Sequence, residues 1–279
     1  RKGGDKDADW LQPLRPWEMF HDTTAKTLLD GRVLPAGRSA AVDMADALDS
    51  IFHHPNVGPF IGRQLIQRLV TSNPSPAYVA RVAAAFANNG AGVRGDLRAV
   101  IRAVLLDAEA RSSTAATTPQ MGKLREPVLR FAHLLRALGA RSSSGRNAIH
   151  YLDSPDDGLA QSPLLAPSVF NFYSPFYRPA GPLAAAGLVA PEFQITSETS
   201  TVGGLNFLSN VINSSGYGGG DTRLAIDYTP WLPLAEGTGA ALIDRLDLLF
   251  FGRQMSVATR TRMTGLLAAM PAASAGQRR

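Results

Sequence analysis

The feature that most limits how this chain can fold is a helical spacing of apolar residues, interrupted at intervals by Gly, Pro and capping side chains. After Asp96, residues Leu97, Val100, Ile101, Val104 and Leu105 fall at i, i+3, i+4, i+7 and i+8, one face of an amphipathic helix. Ser39 opens another helix to about Phe52, with Met44, Ala45, Leu48, Ile51 and Phe52 inward and Asp43, Asp46 and Asp49 outward. In the run from Ile61 to Val70, residues Ile61, Gly62, Leu65, Ile66, Leu69 and Val70 share one side, while Arg63, Gln64, Gln67 and Arg68 share the other. Asn56 is placed to cap that run, and Pro59 is tolerable in its first turn, where N–H groups lack intrahelical partners. Ser75 and Pro76 start a further helix, which Gly90 ends.

Later segments repeat the pattern. Lys123 to Leu138 turns Val128, Phe131, Leu135 and Leu138 toward a core, and Pro191 and Glu192 introduce a helix through Ile212. Residues 242–251, ended by Gly252, and 257–270, capped by Ser256, form a closing helical hairpin, and Leu224 to Tyr228 reads as a short extended piece. In the opening stretch, Asp22 is expected to cap a short helix through Ala25 and Leu28. The fold expected is mainly α: an irregular multi-helix bundle with a long Pro-, Gly- and aromatic-rich excursion and little β-structure. It is read as one domain over residues 1–279, comprising an extended arm (1–37), a helical core (38–138), the excursion (139–190) and C-terminal helices (191–279). Ala110 to Thr118 forms a low-complexity link.

Composition removes some chemistries. The absence of cysteine excludes disulfides, thiolate catalysis and Cys-ligated metal centres. The formal net charge of +5 is spread along the chain, and no nucleic-acid-binding motif accompanies it. The uncharged run from Gly158 to Tyr177 is broken by Pro163, Pro167 and Pro175, so no transmembrane segment is read there. The chain starts at Arg1 with no apolar signal core, as in a processed or partial product, and no cofactor fingerprint or phosphate loop is found.

Three groups of residues carry candidate chemistry. His53 and His54 flank the Asn56 turn at a helix N-terminus, where they could donate to an anion or ligate a divalent metal, and Asp49 lies four residues before His53. With Asp46 or His54, that pair would make a hard-ligand site for zinc or manganese; the bland alternatives are acidic residues serving the helix dipole and, for the histidines, a turn with hydrogen-bonded imidazoles. Glu126, Arg130 and His133 share a stripe, either as a simple Glu126–Arg130 ion pair or as a site in which Arg130 holds an anion and Glu126 orients His133 as general base. If this stripe faces the Asn56 turn, the two would form one site. Asn171, Tyr173 and Arg178 lie in an aromatic run suited to sugar or polymer contacts, or to burial against the helices. His21, Asp22 and Lys26 form a smaller polar cluster, read equally as a solvated turn.

The segments HHPNVGPFIGRQLIQRLVTSNPSPAYVARVAAAF, GDLRAVIRAVLLDAEAR, GKLREPVLRF, LAPSVFNFYSPFY and LVAPEFQITSE, in that order, resemble the bacterial family catalogued as domain of unknown function 1800. FHDTTAKTLLDGRVLPAG and LLFFGRQMSVATRTRM are also similar to it, and the chain looks like the C-terminal part of that family. The resemblance implies no reaction. It implies a companion protein of the family domain of unknown function 1501 and a secreted or cell-envelope setting, periplasmic or extracellular. Two functions follow: a non-enzymatic binding or assembly subunit, or a polymer-acting hydrolase with His53, His54, Glu126, Arg130 and His133 as its polar centre.

Overall fold

In a computed structural model of the protein, residues 13, 15–112, 118, 120–169 and 171–270 are described. Most of the Ala110–Thr118 link, the start of the arm and Phe170 of the aromatic run therefore lie outside the described residues. The fold is mainly α, and among those residues its β-structure is two small two-stranded sheets and an isolated bridge between Arg141 and Ala225. Two compact units are formed, Arg1–Gly122 and Lys123–Arg279.

The first unit begins with a 3-10 turn, Glu18–Phe20, and an antiparallel hairpin of β1 (Lys26–Thr27) and β2 (Val33–Leu34), with Lys26 opposite Leu34. Asp22 does not start a helix: its carboxylate accepts from the Thr24 N–H at 2.9 Å, closing a turn that feeds the hairpin. Five helices follow: α1 (Ala40–His53), α2 (Val57–Leu69), α3 (Pro76–Ala87), α4 (Leu97–Leu106) and α5 (Ala108–Arg111). Ser75 caps α3 by accepting from the Tyr78 N–H, and Asp96 caps α4 by accepting from Arg98 and Ala99. Ile66, Tyr78, Val82, Phe86, Val100 and Val104 form the core. Helix α2 approaches α3 closely at Gly62, where a Cβ would sit 3.0 Å from Val82 Cγ1. The glycine that interrupts the apolar pattern is what lets the helices meet.

Several faces differ from the sequence expectation. Asp43 is buried in α1, while Met44, Leu48, Ile51 and Phe52 are exposed, because the arm brings cations to Asp43 and the ion pairs decide which side turns inward. In α2, Gln67 is buried, its amide donating to Ser72 O at 3.0 Å, and Leu69 is exposed. In α4 only Val100 and Val104 are fully buried; Leu97, Ile101 and Leu105 edge the stripe in solvent.

The second unit contains α6 (Pro127–Ala137), α7 (Pro182–Ala185), α8 (Glu198–Asn213), α9 (Ala240–Leu246) and α10 (Val257–Ala269). Strands β3 (Gly216–Tyr217) and β4 (Leu224–Ala225) pair antiparallel. Phe131, Leu135, Phe207 and Val211 build its core with Leu152 and Leu159 from the excursion. The helix expected from Pro191 breaks into a 3-10 turn, Pro191–Ile195, and then α8, because Ser197 and Ser200 form a capping box that starts a new helix. A π-turn, Asp247–Phe251, extends α9 until Gly252 closes it in the left-handed conformation. Ahead of α6, Lys123 meets the buried Glu192 carboxylate at 3.1 Å.

Candidate functional site

The densest cluster of ionisable groups in the first unit forms where the arm crosses α1. The β1–β2 hairpin brings up Lys26, the turn after Phe20 brings up His21, and Arg38 precedes the helix. Asp43 Oδ2 accepts from Lys26 Nζ at 2.9 Å and lies 3.1 Å from His21 Nε2, and Arg38 Nε is 3.2 Å from Oδ1. One turn on, Asp46 pairs with Arg38 and with Arg32 at 3.1 Å. The hydrogen bond from Lys26 is the main reason the Asp43 carboxyl is held below its ordinary range; burial opposes it, and His21 and Arg38 add to the lowering. His21 thus has one ring nitrogen fixed by a carboxylate, while its Nδ1 has no partner among the described residues. These groups sit beside an open cleft of about 810 Å³ walled by Trp17, Phe20, Leu28, Leu34 and Met44.

The histidine turn is built differently from its sequence reading. Asn56 occupies the position before α2 but is itself in a helical conformation (φ −83°, ψ −7°), so its side chain makes no capping bond. Its N–H donates to His54 Nδ1 at 3.2 Å, and Arg94 reaches the carbonyls of Phe52 and His54. His53 Nδ1 lies 3.1 Å from Asp49 Oδ1, as the four-residue spacing requires, and both side chains are exposed. Asp46, the further ligand that spacing suggested, is occupied by Arg38 and Arg32. Among the described residues no three His, Cys, Asp or Glu side chains gather as a metal site.

In the second unit, Glu126 stands before α6 and accepts from Gln161 Nε2 at 2.7 Å. His133 Nε2 is 2.9 Å from Leu249 O and its Nδ1 is 2.7 Å from Arg125, so neither ring nitrogen is held by Glu126. Arg130 makes no ion pair, with Glu126 or any other described residue, and lines a small cavity with Leu208. In the aromatic run, Tyr173 is buried, Asn171 takes a left-handed conformation (φ 74°) and Arg178 is exposed.

Sequence reasoning identified His21 and Lys26 as polar neighbours and considered Asp46 only as a metal ligand beside Asp49 and His53; it missed Asp43 and Arg38. An amphipathic count assigns Asp43 to solvent, and the only signal against that was the density of basic residues from Lys26 to Arg38.

Fold and site together define a mainly helical protein whose first unit carries an ion-paired, aromatic-walled cleft. Residues 8–279 match the family model described as "Protein of unknown function (DUF1800)", and the chain belongs to that family. No curated protein and no solved structure matches it.

Proposed function

We propose that the chain is a binding or assembly subunit whose recognition surface is the cleft and the adjoining face of α1. The observation that carries this reading is the apolar surface of the first unit. Trp17, Phe20, Met44, Leu48 and Ile51 are all about half exposed or more, whereas the charges next to them are already paired. Aromatic and methionine side chains around an open groove are the usual material of a protein interface, because they bury large area at small entropic cost. The occupant proposed is an apolar segment of a protein partner, and the resemblance makes the companion of the family domain of unknown function 1501 the first to try. In a calorimetric titration of that companion, Phe20→Ser and Met44→Ser should each weaken binding about tenfold, equivalent to roughly 1.4 kcal/mol. Unchanged affinity in both variants, with far-UV spectra like the parent, overturns the reading.

A hydrolase reading has one observation of its own: His21, fixed through Nε2 by a buried carboxylate and open at Nδ1, has the arrangement of a positioned general base. It is tested with chromogenic ester and glycoside probes. Turnover lost in His21→Gln favours it, and turnover retained in that variant removes it.

A further inference from the structure

The cavity beside α6 in the second unit has a different character from the cleft. It is smaller, about 110 Å³, yet several times what one water needs, and its walls are mostly apolar: Leu124, Pro127, Leu159, Leu205 and Leu208. Its polar lining is nearly all spoken for. The Thr196 hydroxyl donates to Glu192 O at 2.9 Å, that of Thr201 to Ser197 O at 2.7 Å, and that of Ser200 to Ile195 O at 2.8 Å. What remains is the guanidinium of Arg130, an exposed residue at the edge of the cavity, which has no hydrogen bond, ion pair or ring contact among the described residues.

A guanidinium set partly against apolar walls gives up some of its hydration, and a carboxylate or phosphate is the partner that restores it. Here burial alone holds the group below its ordinary range, and no protein anion opposes the effect. Two other arginines do find such partners: Arg81 takes Asp107 at 2.7 and 2.8 Å, and Arg260 takes Asp244 and Asp247. Glu126, one turn before Arg130 on the same helix, is engaged by Gln161 instead.

We infer that this cavity binds a small aliphatic monocarboxylate, with the carboxylate on the Arg130 fork and the hydrocarbon between the leucines of α8 and Leu159. The planar fork fits two carboxylate oxygens, and the apolar interior disfavours a hydrated dianion such as phosphate. The site lies wholly in the second unit and goes beyond the binding role proposed for the first.

The probes are butyrate, butyramide and inorganic phosphate, each added to the full chain and followed by saturation-transfer NMR and by the thermal midpoint. Butyrate should transfer saturation from the protein to its methyl group and raise the midpoint with concentration, while butyramide and phosphate should do neither. Arg130→Gln should abolish the butyrate response with little loss of fold, because that side chain holds nothing else. Gly204→Val should abolish it separately by filling the cavity, since a Cβ there meets only Gly158 O, at 3.9 Å. The inference is overturned if butyramide acts like butyrate, if phosphate acts, if nothing binds, or if the response survives Arg130→Gln.

Discussion

At the scale of single residues, buried charge governs two positions in opposite units. Glu192 is almost wholly inaccessible and is paired with Lys123 at 3.1 Å. Lys123→Met should therefore cost about 3–5 kcal/mol, because it leaves a carboxylate in the interior, and adding Glu192→Leu should recover much of the loss. Chemical denaturation of the single and double variants measures both effects. Asp43 adds a pH dependence. Its folded pKa lies below the ordinary 3.8, chiefly through the Lys26 hydrogen bond, so folding favours its ionised form. That contribution is fully present above 3.8 and is lost as pH falls through the lower, folded value. Asp43→Asn should be less stable than the parent at neutral pH, and the gap between their urea midpoints should close only below the ordinary carboxylate range. Asp49→Asn, at the exposed pair with His53, should change the midpoint little.

At the scale of elements, adjacent glycines in α8 make a matched test. A Cβ at Gly203 would stand 2.3 Å from Pro155 O and 2.6 Å from Asp156 O, so the helix is pressed against the excursion there. At Gly204 there is room. Gly204→Ala should raise stability by up to about 1 kcal/mol through reduced backbone entropy, while Gly203→Ala should lower it. Equal shifts in thermal midpoint would show that the close approach is absent. In α2, Ile66→Ala should cost about 2–5 kcal/mol by opening a cavity among Tyr78, Val82 and Val100, and Leu69→Ala far less, since Leu69 is half exposed. Periodicity places both residues on the same face. Packing separates them: Ile66 lies in the cluster with Tyr78, Val82 and Val100, and Leu69 does not.

At the scale of the whole molecule, far-UV circular dichroism of the full chain should be dominated by helix, and a β-dominated spectrum would contradict the fold. Much of that architecture was legible beforehand. Ser75, Asp96 and Ser256 cap helices as their side chains require, because an N-cap is a local bond between an oxygen and an N–H two or three residues on. Asp49 and His53 meet because helical geometry makes neighbours of residues four apart. The Asn56 turn and the candidate cleft were less legible. Asn56 cannot cap once its own backbone is helical, and Asp43 turns inward only because Lys26, His21 and Arg38 arrive from a hairpin that periodicity does not describe. Arg130 was recognisable as a cation near an acidic neighbour. That Gln161, 35 residues from Glu126, takes that neighbour and leaves the guanidinium over an apolar cavity is a long-range contact. The sequence by itself determined the elements and their caps, which depend on bonds within one or two turns. Tertiary structure decided which faces are buried and which charges are left unpaired, since those depend on what packs opposite.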